Sequence, residues 1–347
     1  AVVLTVLGIA MQYLVYTHLT PDTAILSDTY LQRTILYNAI GLGLLLLCIF
    51  GNYMYLAKGA WILLAIFLLG LLPPWFFGFY GRQYTLCYYL ALVYPLVYAL
   101  LLYRLRDKGA KAIWFLHGLT LLFLVRMLFG TIITWSTVLA AGCLTLLLLC
   151  LAIHRGILTG SSKRTLWLLT VLPYVAAAAC FVILFFQNSY MRDRLTEFLK
   201  GSNYVQQMLA LEQQQMLAFG GGTISSYVDT ESLASTYVLH SIFLWFGIVS
   251  GILVIVALAV LVLRSLHYAL HQSNRLALLA GTAASGILLF ELLHFVLTNL
   301  GCSPVYTASV PFANSVFNSL LVGIMLGIIR NQNVLSETTA SLRGLRA

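Results

Sequence analysis

The sequence predicts an all-α polytopic membrane protein with about ten transmembrane helices and one large extracellular loop between helices 7 and 8. Three observations carry this. The 347 residues are 61% hydrophobic and only 8% charged, where a soluble domain carries about 25% charged residues. Mean hydropathy is +0.95, and apolar runs of about 20 residues, the length that crosses a bilayer, recur along the chain. The basic residues, finally, fall on alternate sides of those runs.

The runs place spans at 1–17, 32–50, 61–79, 84–103, 112–128, 131–153, 165–187, 238–263, 276–298 and 312–329. The stretch 112–153 is 42 residues long, about twice one span, and Gly130-Thr131 supplies the break between two helices. Pro73-Pro74, Pro95 and Pro173 are expected to bend or end the helices that hold them. The first run has no basic segment before it and reads as a span trimmed at its start, not a signal peptide. The bundle forms one domain over 1–347, with the loop 188–237 within it and a tail 331–347 beyond it.

Orientation follows from Lys and Arg. With a cytoplasmic N-terminus, 13 of the 19 basic residues lie on the cytoplasmic side, among them Lys108, Lys111, Arg155, Arg264 and Arg330. Arg33, Arg82, Arg192, Arg194 and Lys200 stay outside, and Arg126 falls inside a span. The positive-inside rule therefore puts both termini in the cytoplasm. The formal charge of +9 is a topology signal and gives no basic face for nucleic acid. Five of the six cysteines sit in apolar runs, and no Cys/His spacing points to a metal. No cofactor is indicated, although a divalent cation remains compatible with the sequence.

The loop 188–237 holds five of the ten acidic residues, Asp193, Glu197, Glu212, Asp229 and Glu231. A loop this long is usually functional or disordered. YMRDRLTEFLK and YVQQMLALEQQQMLAF place apolar residues at helical spacing, so two short amphipathic helices lying at the membrane surface are expected. Gly220-Gly221-Gly222 is expected to end the second.

Within the spans, Arg126 and Glu291 are costly in lipid and mark functional or paired positions. Glu291 and His294 lie three apart on one helix face and can share a hydrogen bond; Arg126 and Glu291 could also pair across the bundle. His240, one turn into the eighth span, is either an acid/base or a group bonded to a neighbouring helix.

Particular motifs carry a family resemblance. Gly301, Pro304, Pro311 and Phe312 near the end, followed by the polar stripe Asn314-Ser315-Val316-Phe317-Asn318-Ser319, resemble the last loop and helix of the SEDS family, the FtsW/RodA/SpoVE proteins that polymerise peptidoglycan. Tyr190-Met191-Arg192-Asp193-Arg194-Leu195, Gln206, Ala210 and Gly220–Gly222 are similar to that family's loop, and VVLTVLGIAMQYLVYT to its first span. The resemblance implies a bacterial cytoplasmic-membrane protein handling a polyprenyl-pyrophosphate-linked disaccharide of the lipid II type. It also implies a single-span class B penicillin-binding protein as partner. Arg192 and Arg194 would grip the pyrophosphate by charge-assisted bonds or else pair with Asp193 or Glu197; Gln206, Asn314 and Ser315 would line the substrate site.

Three departures qualify the activity. Thr236 stands where the family carries its catalytic aspartate, and Leu244-Trp245 replaces a pair of glutamates. Arg126-Met127-Leu128-Phe129-Gly130-Thr131 keeps a Gly-Thr and loses a carboxylate, and Tyr88 and Ala91 replace a Glu and a Lys. A threonine cannot take a proton as a carboxylate does. Asp229 and Glu231 are candidates for a relocated carboxylate. Three functions follow: a glycan polymerase, a catalytically silent scaffold or regulator of a penicillin-binding protein, and a transporter of lipid-linked precursor.

Overall fold

The computed structural model describes residues 10, 24–72, 83–128, 135–187, 189–201, 204–220, 237–302 and 316–344. The expected span 1–17, Pro73-Pro74, Gly130-Thr131 and the residues 221–236 and 303–315 therefore lie outside the described residues, apart from Ala10. All described elements are helices: α1 (Ala24–Phe50), α2 (Met54–Lys58), α3 (Ala60–Gly70), α4 (Gln83–Arg104), α5 (Ala110–Leu128), α6 (Trp135–His154), α7 (Lys163–Gln187), α8 (Ser189–Leu199), α9 (Tyr204–Gln213), α10 (Val238–Phe246), α11 (Ile248–Leu270), α12 (Arg275–Asn299) and α13 (Val316–Gly344), with a 3₁₀ turn at Arg106–Lys108. Five stretches are long and apolar enough to cross a membrane: Cys87–Arg104, Ala110–Met127, Ser136–His154, Ile248–Leu270 and Arg275–Asn299. Ile35–Phe50, Ala60–Gly70 and Val316–Asn331 are shorter apolar helices. The protein is an all-α polytopic membrane protein.

The chain divides into two compact units. One comprises residues 1–47, 189–264 and 288–323, the other 48–188, 265–287 and 324–347.

The second unit is built round α4. Its turns from Ala91 to Leu102 are almost wholly buried, because they are apolar on every side and take neighbours on every side. Tyr94 stacks on Phe123 of α5 at 4.3 Å between ring centroids and 8° between planes. Pro95 and Pro173 lie inside α4 and α7, and both helices continue through them. Helix starts follow the sequence. Asn274 caps α12 by accepting the Leu276 N–H at 2.9 Å, and Ser162 accepts the Thr165 N–H at 3.3 Å before α7. The expected division of 112–153 into two helices is what the structure shows.

Close helix approach in this unit depends on glycine. A β-carbon on Gly286 would stand 2.5 Å from Leu144, and one on Gly327 would stand 2.6 Å from the Cys48 carbonyl oxygen. Small residues take this role in membranes because lipid is as apolar as leucine, so helices gain by approaching closely rather than by hiding from solvent.

The first unit departs from the expected topology at the eighth span. The run 238–263 is not one helix: it breaks at Gly247, whose φ of 87° belongs to the region favoured by glycine. Val254 of α11 packs against the Val238/Ile242 pair of α10, and Phe243 lies over Gly251. In an unbroken helix Ile242 and Val254 would stand about 18 Å apart. The chain therefore turns back, α10 and α11 form a hairpin, and the helix long and apolar enough to cross a membrane is Ile248–Leu270. Its 23 residues span about 34 Å, enough for a hydrocarbon core of about 30 Å without help from α10.

The last helix also differs, running from Val316 to Gly344 through most of the expected tail.

A buried polar junction beneath the long loop

Both loop helices form close to where periodicity places them, as α8 and α9. The second ends earlier than expected, at Gln213 instead of at the triple glycine. Gln215 N–H bonds the Glu212 carbonyl and Met216 N–H the Gln213 carbonyl, at 3.0 and 3.2 Å, which tightens the chain into turns. The following residues have another use. The Leu217 carbonyl accepts the Ile248 N–H at 3.0 Å, and the Ala218 carbonyl accepts the Val249 N–H at 3.3 Å. These are two of the amides that every helix start leaves without an internal partner. A loop segment thus caps α11 where it leaves the hairpin. Contact is so close that a β-carbon on Gly247 would lie 2.6 Å from the Ala218 carbonyl oxygen and 2.7 Å from the Gly220 nitrogen.

Helix α9 lies on protein as well as presenting a free face. Leu209 is buried against the chain near Gly301, and the Gln213 side chain donates to the Leu300 carbonyl at 3.3 Å. Glu212, three residues beyond Leu209, is 0% exposed and shares a 2.8 Å hydrogen bond with His240 Nε2 of α10, also 0% exposed. The Asn299 side chain at the end of α12 accepts the His240 N–H at 2.9 Å and donates to the Phe295 carbonyl at 2.8 Å. Leu239, Phe243 and Phe295, joined by Met216, Val254, Ile255 and Val296, form the apolar packing of this unit around α10.

This junction is electrostatically costly. The second carboxylate oxygen of Glu212 and the Nδ1 of His240 are buried without a hydrogen-bond partner. An unsatisfied buried polar atom costs about 1–3 kcal/mol, and desolvation offsets much of a buried pair's attraction.

The structure describes only part of the expected site residues. Asp229, Glu231, Thr236, Asn314 and Ser315 lie outside the described residues. Arg192 is exposed on α8, and Arg194 occupies the same helix. Gln206 is half-buried on α9, with its carbonyl oxygen buried and without a partner. Glu291 and His294 are buried one turn apart on α12, and the His294 ring lies nearly parallel to Phe290 at 5.8 Å. Arg126 belongs to the other unit, where it neighbours Cys87. His240 is hydrogen-bonded to Glu212 of the neighbouring helix α9. Among the described residues no group of three or more His, Cys, Asp and Glu is placed to hold a metal ion.

Glu212 is a buried junction residue that is not among the expected site residues. Its signal was present: it follows Leu209 by three and Met208 by four, and so stands on the apolar stripe of its helix.

These features define a helical membrane protein whose long loop is fastened into its own bundle. No protein-family profile and no curated protein matches the chain. Among solved structures, a chain from one described as "Structural coordination of polymerization and crosslinking by a peptidoglycan synthase complex" matches with a TM-score of 0.65 and 17% identity, covering 96% of this chain and 96% of that one. The fold is SEDS-like.

Proposed function

We propose that this chain is a peptidoglycan-synthesis protein of the bacterial cytoplasmic membrane, which handles a polyprenyl-pyrophosphate-linked disaccharide on the side of its long loop and works beside a penicillin-binding protein. The observation that carries the reading is the match along 96% of both chains to a member of a peptidoglycan synthase complex. Arg192 is exposed on α8, on the loop side of the chain, and carries the charge that an anionic headgroup would meet. In the polymerising form of this reading an acceptor hydroxyl attacks the anomeric carbon of the growing strand. The carbon–oxygen bond to the lipid pyrophosphate breaks, and a carboxylate takes the hydroxyl proton. Asp229 and Glu231 are the candidates for that carboxylate.

A second reading, a silent scaffold for the penicillin-binding protein, is favoured by Thr236 and by the burial of Glu212 and His240, which cannot touch a substrate where they stand. Purified protein, with and without a class B penicillin-binding protein, would be given lipid-linked disaccharide and assayed for glycan polymer. Polymer that is lost in Asp229→Ala or Glu231→Ala supports the enzyme. No polymer under conditions where an active synthase works leaves the scaffold.

A further inference from the structure

We propose that Glu212 and His240 are a latch, holding the strap 204–220 shut over the α10–α11 hairpin, and that the strap opens to admit the lipid-linked substrate. The second clause rests on the function proposed above; the first rests on geometry alone. Both groups are fully buried, so neither acts on substrate in the closed form, and their effect runs through the segment they fasten. That segment is attached at three places: Glu212 to His240, Gln213 to the Leu300 carbonyl, and the Leu217 and Ala218 carbonyls to the Ile248 and Val249 amides. Met216 between them packs on the Leu239/Phe243/Phe295 cluster.

The attachments differ in kind. The carbonyl caps are replaceable by water at little loss, as at any exposed helix start. The Glu212–His240 pair is directional, ionisable and incompletely satisfied, since each partner keeps a buried atom with none. Opening gives both groups the hydration that burial denies them, which offsets part of the cost of breaking their bond. Glycines flank the strap, Gly201 (φ 64°) before α9 and Gly220 (φ 56°) at its end. The strap also carries Leu217 and Phe219, 53% and 78% exposed.

Hydrogen exchange of the Ile248 and Val249 amides in lipid nanodiscs tests the latch. Glu212→Gln and His240→Gln are each expected to speed exchange at these two amides by about tenfold or more, while the α4 amides of Leu96–Leu102 keep wild-type protection. The swapped double variant Glu212→His/His240→Glu is expected to restore protection to within about threefold. Unchanged exchange in both single variants, or a swap as fast as the singles, overturns the latch. Should the variants lose α4 protection too, Met216→Cys in the otherwise wild-type chain decides: its thiol should react far more slowly than exposed Cys302, and equal rates overturn a closed strap. Lipid-linked disaccharide is then added to the wild type. Faster exchange supports gating, and polymer formed with no change in exchange overturns gating. If no polymer forms, the polymerising form of the proposed function fails, while faster exchange on adding the disaccharide still supports gating and unchanged exchange overturns it.

Discussion

Among the described residues, the buried polar groups around Glu212 in one unit and around Tyr94 and Tyr174 in the other are built on opposite principles. In the unit around α4 the groups are mainly hydroxyls that join neighbouring helices. Tyr94 donates to Thr120 at 2.5 Å, and Thr120 donates on to the Leu116 carbonyl. Tyr174 donates to Thr145 at 2.8 Å, and Thr145 donates on to the Gly142 carbonyl. Both chains end on a carbonyl of the threonine's own helix, so they close without charge. In the other unit Glu212 and His240 are ionisable, join a loop helix to the bundle, and end on atoms with no partner. Hydroxyl bonds that terminate on their own helix suit contacts between helices; an ionisable pair with unfinished bonds suits a contact that must release.

The contrast can be broken by substitution. The largest effect is expected from Glu212→Ala, which leaves His240 buried and alone: about 3–5 kcal/mol lost, read as the change in unfolding midpoint in detergent. If Tyr174→Phe were equally harmful, the distinction between the clusters would collapse. Gly247→Ala comes next. The left-handed conformation and the collision with residues 218–220 together cost about 3 kcal/mol, and protease nicking of the loop should rise with it. Tyr174→Phe should cost only about 1 kcal/mol, because Thr145 keeps its bond to Gly142. Arg192→Ala, on an exposed helix face, should move stability by no more than about 0.5 kcal/mol. Its effect should appear as roughly tenfold weaker capture of lipid-linked disaccharide in a binding assay, the loss of one charge-assisted contact.

Hydropathy made most of this fold legible. A span needs only length and apolarity, both local, and the ends of α4, α5, α6, α7 and α12 fall within a few residues of where the runs place them. The hairpin is hidden because VLHSIFLWFGIVSGILVIVALAVLVL is 26 residues long, holds no Asp, Glu, Lys, Arg or Pro, and reads as one apolar run. Gly247 and Gly251 lie in that run together, and glycine is common in membrane helices, so nothing local says which one turns the chain. The turn is selected by residues 217–220, some 30 positions earlier, which supply the carbonyls. Glu212 and His240 were each visible, but a pairing across 28 residues is tertiary information. An acid on an apolar stripe was the available hint. The triple glycine misled in the other direction: α9 stops at Gln213 because the chain is needed elsewhere, not because a helix former ran out.

One contact described for its closeness also bears on how the protein is made. Where Gly327 meets the Cys48 carbonyl, Arg330 one turn later donates to the Ile49 carbonyl at 3.0 Å and lies over the Phe50 ring. The end of α1 is thus finished by a residue 281 positions downstream. A ribosome feeding this chain into the membrane has inserted almost every other helix before that residue exists. The unit of which both are part cannot close vectorially, from first helix to last. It must hold an open seam through most of synthesis and seal only when the final helix arrives.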